Sequence, residues 1–277
     1  MNHEGVPWRN VVVFCVSACV LLWVPFLVVN LKGAEDAGVW TTILGVMGPY
    51  SPLIAALLVR LLIAREGFRD AHLGIRQTSW RFWLLALSLP FFWNGVQDAL
   101  QIAFGFATVD WAQMGRGLYR IPINLFGGIF IFIGEEFGWR SYLLEKLRPL
   151  GRWNALLLSG LVWSLWHAPL VLTPSNIYTQ HWDLGGAALA LLIFVLVGFI
   201  FGWLYLESNS VWPCVLMHSY NNLISLELFR EAWSVSTEPT LLQNGLMAIG
   251  PISLVWLILY WKRCFKEADT VPDLSGS

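Results

Sequence analysis

Charge is scarce in this sequence: only 13% of its 277 residues are Asp, Glu, Lys or Arg, and the formal net charge is −1. Without a basic face there is nothing to meet a phosphate backbone, so a nucleic-acid partner is excluded, and no acidic tail is present either. Cysteine is nearly absent. Cys15, Cys19, Cys214 and Cys264 show no C-x-x-C spacing, and the first three sit in apolar stretches, which indicates neither a disulfide framework nor a thiolate metal site. There is no repeat of fixed period, no low-complexity stretch and no long linker, so the chain reads as one unit: a single transmembrane domain over 1–266 with a disordered tail over 267–277. Three protease signatures are missing as well. No H-E-x-x-H helix, no G-x-S-G segment and no G-x-G-D segment occurs in an apolar run, which removes zincin, rhomboid and presenilin-like readings.

What fills the chain instead is apolar. Hydrophobic residues make up 57% and aromatics 15%, with 17 Trp, too much for an ordinary soluble domain. A bilayer core asks for about 20 apolar residues per helix. Eight candidate spans follow: Val11 to Val29, Val39 to Ala64, Phe82 to Phe106, Ile121 to Phe137, Ala155 to Leu172, Ala187 to Leu206, Val211 to Phe229 and Leu242 to Tyr260. The expected fold is all-α, a polytopic membrane bundle of about eight helices around a buried polar cavity. The first run follows a polar start carrying Arg9, but its length and the lack of a small-x-small cleavage pattern favour a retained span over a signal peptide.

With the amino terminus inside, one side receives Arg9, Arg65, Arg69, Arg76, Arg81, Arg140, Lys146, Arg148, Arg152, Lys262, Arg263 and Lys266, and the other only Lys32, Arg116, Arg120 and Arg230. The positive-inside rule then puts both termini in the cytoplasm. Short loops without a targeting tail favour a bacterial plasma membrane. Trp8, Trp40, Trp80, Trp111, Trp153, Trp182, Trp212 and Trp261 fall near span ends, where an amphipathic indole suits the headgroup region. Pro25, Pro49, Pro52, Pro90, Pro169 and Pro213 interrupt spans, so kinked helices are expected.

Ionisable groups inside such a bundle are costly, about 2.5–3.5 kcal/mol each at a helix centre, and mark function by default. Glu135 and Glu136 close the run Ile129 to Ile133. Glu136 and Arg140 are four apart and face one another, whereas Glu135 points about 100° away. One carboxylate is thereby structural and the other free to react. His167 lies in Trp163-Ser164-Leu165-Trp166-His167-Ala168-Pro169, and His218 and Asn222 share a face of His218-Ser219-Tyr220-Asn221-Asn222. Snorkelling glutamates, a satisfied core histidine and helix–helix glue explain each cluster alone; three together on separate spans point to a site. These boundaries set Glu135 near the inner end of its span and His167 toward the outer half of its own, so the fourth helix must run on past Arg140 for the two to meet. Asn94, Gln97, Asp98 and Gln101 form one further polar stripe, lining a cavity or marking the outer half of the third span.

The order E-E-x-x-x-R, aromatic-x-x-x-H, H-x-x-x-N, here Glu135 to Arg140, Trp163 to His167 and His218 to Asn222, resembles the CAAX protease and bacteriocin-processing family and its relative, the type II CAAX prenyl endopeptidase. The motif core is 121–226. Trp163 replaces the usual Phe, which bears on substrate fit more than on chemistry. The resemblance implies an intramembrane endopeptidase acting on a peptide or protein, in some members prenylated, with the lipid bilayer as its other partner. On that reading Glu135, helped by His167, activates water, Arg140 fixes Glu136, and His218 and Asn222 donate to the oxyanion. The competing scheme gives Glu135, His167 and His218 to a divalent metal such as zinc; since Asn is a poor zinc ligand, the metal-free scheme is preferred. Two other functions share these residues: a non-catalytic bacteriocin-immunity or peptide-binding membrane protein, and a small transporter, against which the missing internal repeat counts.

Overall fold

The computed structural model describes residues 5–75, 78–118, 120–173, 182–223, 233–235 and 237–268. Arg76, Arg230, the last residues of the seventh expected span and the tail beyond Ala268 lie outside them, as do the side chains of Arg116, Arg263 and Lys266. The chain is a helical membrane bundle. Its helices are α1 (Trp8–Lys32), α2 (Val39–Ala64), α3 (Trp80–Ala103), α4 (Trp111–Leu118), α5 (Ile121–Leu150), α6 (Arg152–Leu172), α7 (Leu184–Ser208), α8 (Trp212–Leu223) and α9 (Leu241–Ala268).

Six of these, α1, α2, α5, α6, α7 and α9, are long and apolar enough to cross a membrane. The eight spans expected include two others. Helix α3 has 24 residues but carries the polar stripe from Asn94 to Gln101, and the described part of α8 has 12 residues. Two expectations change in detail. The third span stops at Ala103, because the chain turns at Gly105 with φ 76° and enters a short strand, β1 (Ala107–Val109). That strand pairs antiparallel with β2 (Trp233–Val235), so the bundle carries one small ribbon. Pro213 begins a helix instead of interrupting one: it is the second residue of α8, where a missing N–H costs nothing.

The largest difference concerns α5. It does not stop at Phe137 but continues as a π-helix over Phe137–Leu144, a short α turn over Glu145–Leu147 and a 3₁₀ turn over Arg148–Leu150. Glu135 and Glu136 therefore sit at mid-helix, at the depth where the fourth span had to extend for them to face the other motifs. π-helical turns are rare and concentrate at functional sites.

Helix directions follow from cross-contacts. Tyr50 Oη donates to Phe130 O at 2.7 Å, Arg60 Nη2 to Ser141 O at 3.0 Å, and Lys146 Nζ to Glu66 at 2.8 Å, so α2 and α5 rise in step and are parallel. Small residues let them touch. A Cβ on Gly138 would lie 2.4 Å from Pro52 Cβ, which only glycine avoids. Helices α6 and α7 are antiparallel, with Ser164 Oγ donating to Leu191 O at 2.7 Å at one end and Arg152 paired to Glu207 at the other. Trp8, Trp80, Trp111 and Trp261 are exposed at helix ends, while Trp93, Trp139, Trp163 and Trp166 are buried.

One end of the bundle is tied by charge. Fully buried Arg60 donates to Asp70 at 2.8 Å and to Gly67 O at 2.6 Å, and Lys146 reaches Glu66 and Asp70, stapling the segment after α2 to the end of α5. Partial burial alone would raise the Asp70 carboxyl, but the Arg60 hydrogen bond and the charges of Arg60 and Lys146 outweigh it and hold the group below its ordinary value of 3.8. A pKa lowered by folding gives stability that is complete above the ordinary value and is lost as pH falls through the lowered one. The thermal stability of the wild type should therefore exceed that of Asp70→Asn at about pH 6 and converge on it only as the pH falls through the lowered value, as melting in detergent would read. The margin is modest because the group is partly solvated.

Candidate active site

Three helices bring the ionisable groups together. Helix α5 presents Glu135, Glu136 and Arg140, α6 presents Trp163 and His167, and α8 presents His218 and Asn222. Glu136 and Arg140 have no exposed surface, and Glu135, His167 and His218 are also buried. In such surroundings every polar atom needs a partner.

Glu136 is fully engaged. Arg140 Nε donates to its Oε2 at 2.9 Å, and His218 Nδ1 donates to its Oε1 at 2.8 Å. With one oxygen held by each neighbour, Glu136 joins α5 to α8 and orients the imidazole. Glu135 is placed otherwise. Its Oε2 is buried and, among the described residues, accepts no hydrogen bond, although His218, Arg140 and the Trp163 indole all lie within interaction range of the carboxylate. The two adjacent carboxylates thus differ in environment as their 100° separation implies: one is tied into the fold and one is aimed into the cluster.

The imidazole planes are set by aromatic stacking. Phe132 stacks on His218 with ring centroids 4.1 Å apart, and Phe194 on His167 at 4.2 Å. Trp163 stands edge-on to both rings, at 4.7 Å from His167 and 6.0 Å from His218, and the Arg140 guanidinium lies 5.5 Å from its face. His167 Nδ1 meets its own helix's Trp163 O at 2.9 Å. A carbonyl can only accept, so Nδ1 carries the proton and Nε2 of the neutral ring keeps its lone pair. Among the described residues no hydrogen bond joins His167 to Glu135; Trp163 is the side chain in touch with both.

Asn222 lies one helical turn from His218, and its Oδ1 accepts from Asn221 Nδ2 at 3.3 Å. Asn221 in turn accepts at Oδ1 from Trp93 Nε1 at 2.8 Å and from Asn94 Nδ2 at 3.2 Å. The α3 stripe therefore serves mainly as bonding between helices: Asn94 reaches α8, and Gln101 donates to Asn244 of α9 at 3.2 Å. Asp98 keeps a buried oxygen without a hydrogen-bond partner among the described residues. Trp93 and Asn221 are site neighbours that motif spacing does not reveal; the only sequence signal was that Asn94 and the Asn221-Asn222 pair are polar within spans.

Among the described residues no three His, Cys, Asp or Glu side chains converge to hold a metal ion, and Glu135, His167 and His218 do not form such a group.

Comparison with known proteins falls on this region. Residues 117–224, which contain every residue of the buried cluster from Glu135 to Asn222, match the family described as Type II CAAX prenyl endopeptidase Rce1-like. A Methanococcus maripaludis protein described as CAAX prenyl protease 2 is 26% identical over 190 residues, covering 66% of this chain and 62% of that protein. The chain thus spans less than two thirds of that relative's length. The segment holding the buried cluster is thus similar to the Rce1-like type II CAAX prenyl endopeptidases, the family its three ordered motifs resemble.

Proposed function

We propose that the chain is an intramembrane endopeptidase of the CAAX prenyl protease type, with Glu135 as the general base. The observation that carries this reading is the asymmetry of the acid pair: Glu136 spends both oxygens on Arg140 and His218, while a buried oxygen of Glu135 has no hydrogen-bond partner among the described residues. A carboxylate left unsatisfied at such cost is explained by a ligand it meets in turnover, here water.

In this mechanism Glu135 takes a proton from water as the oxygen adds to the scissile carbonyl carbon. The carbonyl oxygen becomes an oxyanion facing the Asn222 amide and the His218 ring, whose Nε2 donates only while Nδ1, committed to Glu136, also keeps its proton; stacking and Glu136 already fix the ring. Collapse breaks the C–N bond, and the departing amine takes up the proton. His167, with its Nε2 lone pair, orients the attacking water. Arg140 holds Glu136 and touches no substrate. The position among apolar helices suits a substrate whose cleaved end lies at the bilayer, and the relative's description as a CAAX prenyl protease supports a C-terminal prenylated peptide.

The test uses purified protein in detergent and a fluorogenic farnesylated C-a-a-X peptide, with product masses read before and after exhaustive chelation. Release of the C-terminal tripeptide at an unchanged rate after chelation is the expected result. Chelator-sensitive cleavage restored by zinc would replace the Glu135 mechanism with a metal-centred one, and no cleavage would remove the prenyl-peptide substrate.

A further inference from the structure

Beside the four side chains assigned to the chemistry, the α3–α8 contact contains a chain of hydrogen bonds whose direction is fixed by the chemistry of its members. It starts at Trp93, a buried residue whose indole Nε1–H can only donate. Its partner at 2.8 Å must therefore be the oxygen of the Asn221 amide. A second donor agrees. The Asn94 side chain has its Nδ2 on Pro90 O at 2.9 Å, and since a carbonyl only accepts, that end of Asn94 is the NH₂ group, which also donates to Asn221 Oδ1 at 3.2 Å. Both constraints turn the Asn221 oxygen toward α3 and its NH₂ group away. That NH₂ group donates to Asn222 Oδ1 at 3.3 Å. The Asn222 oxygen is thereby held by its neighbour, and its Nδ2, the end that donates, is the one left for a ligand.

We infer that Trp93 and Asn221 are positioning residues that set the orientation of the Asn222 amide, so that it offers N–H and not C=O to the oxyanion. The inference rests on the proposed endopeptidase reading and adds to it a selector on a helix outside the three motifs. An unconstrained asparagine presents either end of its amide at little cost. A carbonyl oxygen turned toward a developing oxyanion repels it, so a fixed orientation bears on the transition state and little on substrate binding. Trp93 touches no reacting atom; it acts through Asn221, and Asn221 through Asn222.

The experiment measures kcat and KM on the prenylated peptide for Trp93→Phe, Asn221→Asp, Asn222→Ala and the double variant Trp93→Phe with Asn222→Ala, with melting temperature as a control on folding. Trp93→Phe keeps the ring and deletes the donor; Asn221→Asp keeps both acceptor bonds to α3 and deletes the donor to Asn222. Both should lower kcat by about tenfold to a hundredfold, short of the ~10²–10³-fold loss from deleting an oxyanion donor, with KM within about twofold. In the Asn222→Ala background, Trp93→Phe should cost nothing further, a non-additivity that loss of ordinary packing would not give. Wild-type kcat in Trp93→Phe and Asn221→Asp, or additive losses in the double variant, would overturn the relay while leaving the endopeptidase reading intact. Full activity in Asn222→Ala would remove the oxyanion role of Asn222 and the relay with it.

Discussion

Glu135→Gln should lower turnover of a prenylated peptide by ~10²–10⁴-fold, the usual worth of a positioned general base, while leaving melting in detergent unchanged or raised. The substitution keeps shape and volume and removes only the charge and basicity of a side chain whose Oε2 has no hydrogen bond. A buried anionic oxygen without a partner costs stability, so neutralising it relieves the folded state, as is common where a site is held in a destabilised arrangement for its chemistry. Substrate affinity should change little. A residue that merely packed or paired would show the opposite pattern, with stability lost first and activity following it.

Arg140→Met should act that opposite way. Arg140 and Glu136 are both without exposed surface, and among the described residues their 2.9 Å contact is the single hydrogen bond that the guanidinium makes; its central carbon lies 5.5 Å from the ring centroids of both Trp163 and Phe201. Removing the cation leaves Glu136 as a buried carboxylate supported by His218 alone, and breaking a buried pair from one side costs about 3–5 kcal/mol. In a chain of this size that corresponds to a fall in melting temperature of roughly ten degrees. Arg140→Lys should recover little of it, because an ammonium reproduces neither the planar stacking between two aromatic rings nor the directed Nε–H. Adding Glu136→Gln to Arg140→Met should restore part of the stability, since it removes the charge that was left unpaired.

How far these roles could be read in advance differs residue by residue. The four-residue spacing of Glu136 and Arg140 and the divergent direction of Glu135 are helix geometry, and the side chains stand as that geometry requires. The end of α5 was not legible. Beyond Phe137 the sequence turns polar, with Arg140, Ser141, Glu145, Lys146 and Arg148, and hydropathy reads such a stretch as leaving the membrane. The helix goes on because neighbours engage several groups of this stretch: Glu136 accepts from Arg140 Nε, Glu66 and Asp70 take Lys146, and Arg60 donates to the Ser141 carbonyl. Glu136 apart, these partners come from distant parts of the chain and leave no periodic trace. Trp163 looked like a departure from the aromatic of its motif and nothing more; folded, it is the side chain that touches both histidines and the Arg140 guanidinium. Trp93 and Asn221 escaped notice because a tryptophan in an apolar run and an asparagine at an unspecified position of a motif carry no spacing signal, and β1 and β2 because three residues are too few for alternation to register.

The account rests on one division of labour between two adjacent glutamates, and one paired measurement addresses it. Glu135→Gln and Glu136→Gln would be purified in parallel, and for each the melting temperature and the initial rate of tripeptide release from a farnesylated peptide would be compared with wild type. The account predicts that Glu135→Gln is folded at or above wild-type stability and nearly inactive, and that Glu136→Gln is strongly destabilised yet keeps measurable turnover in the fraction that remains folded. A stable, inactive Glu136→Gln alongside an active Glu135→Gln would contradict it, and would move the reacting carboxylate to the residue that Arg140 and His218 hold.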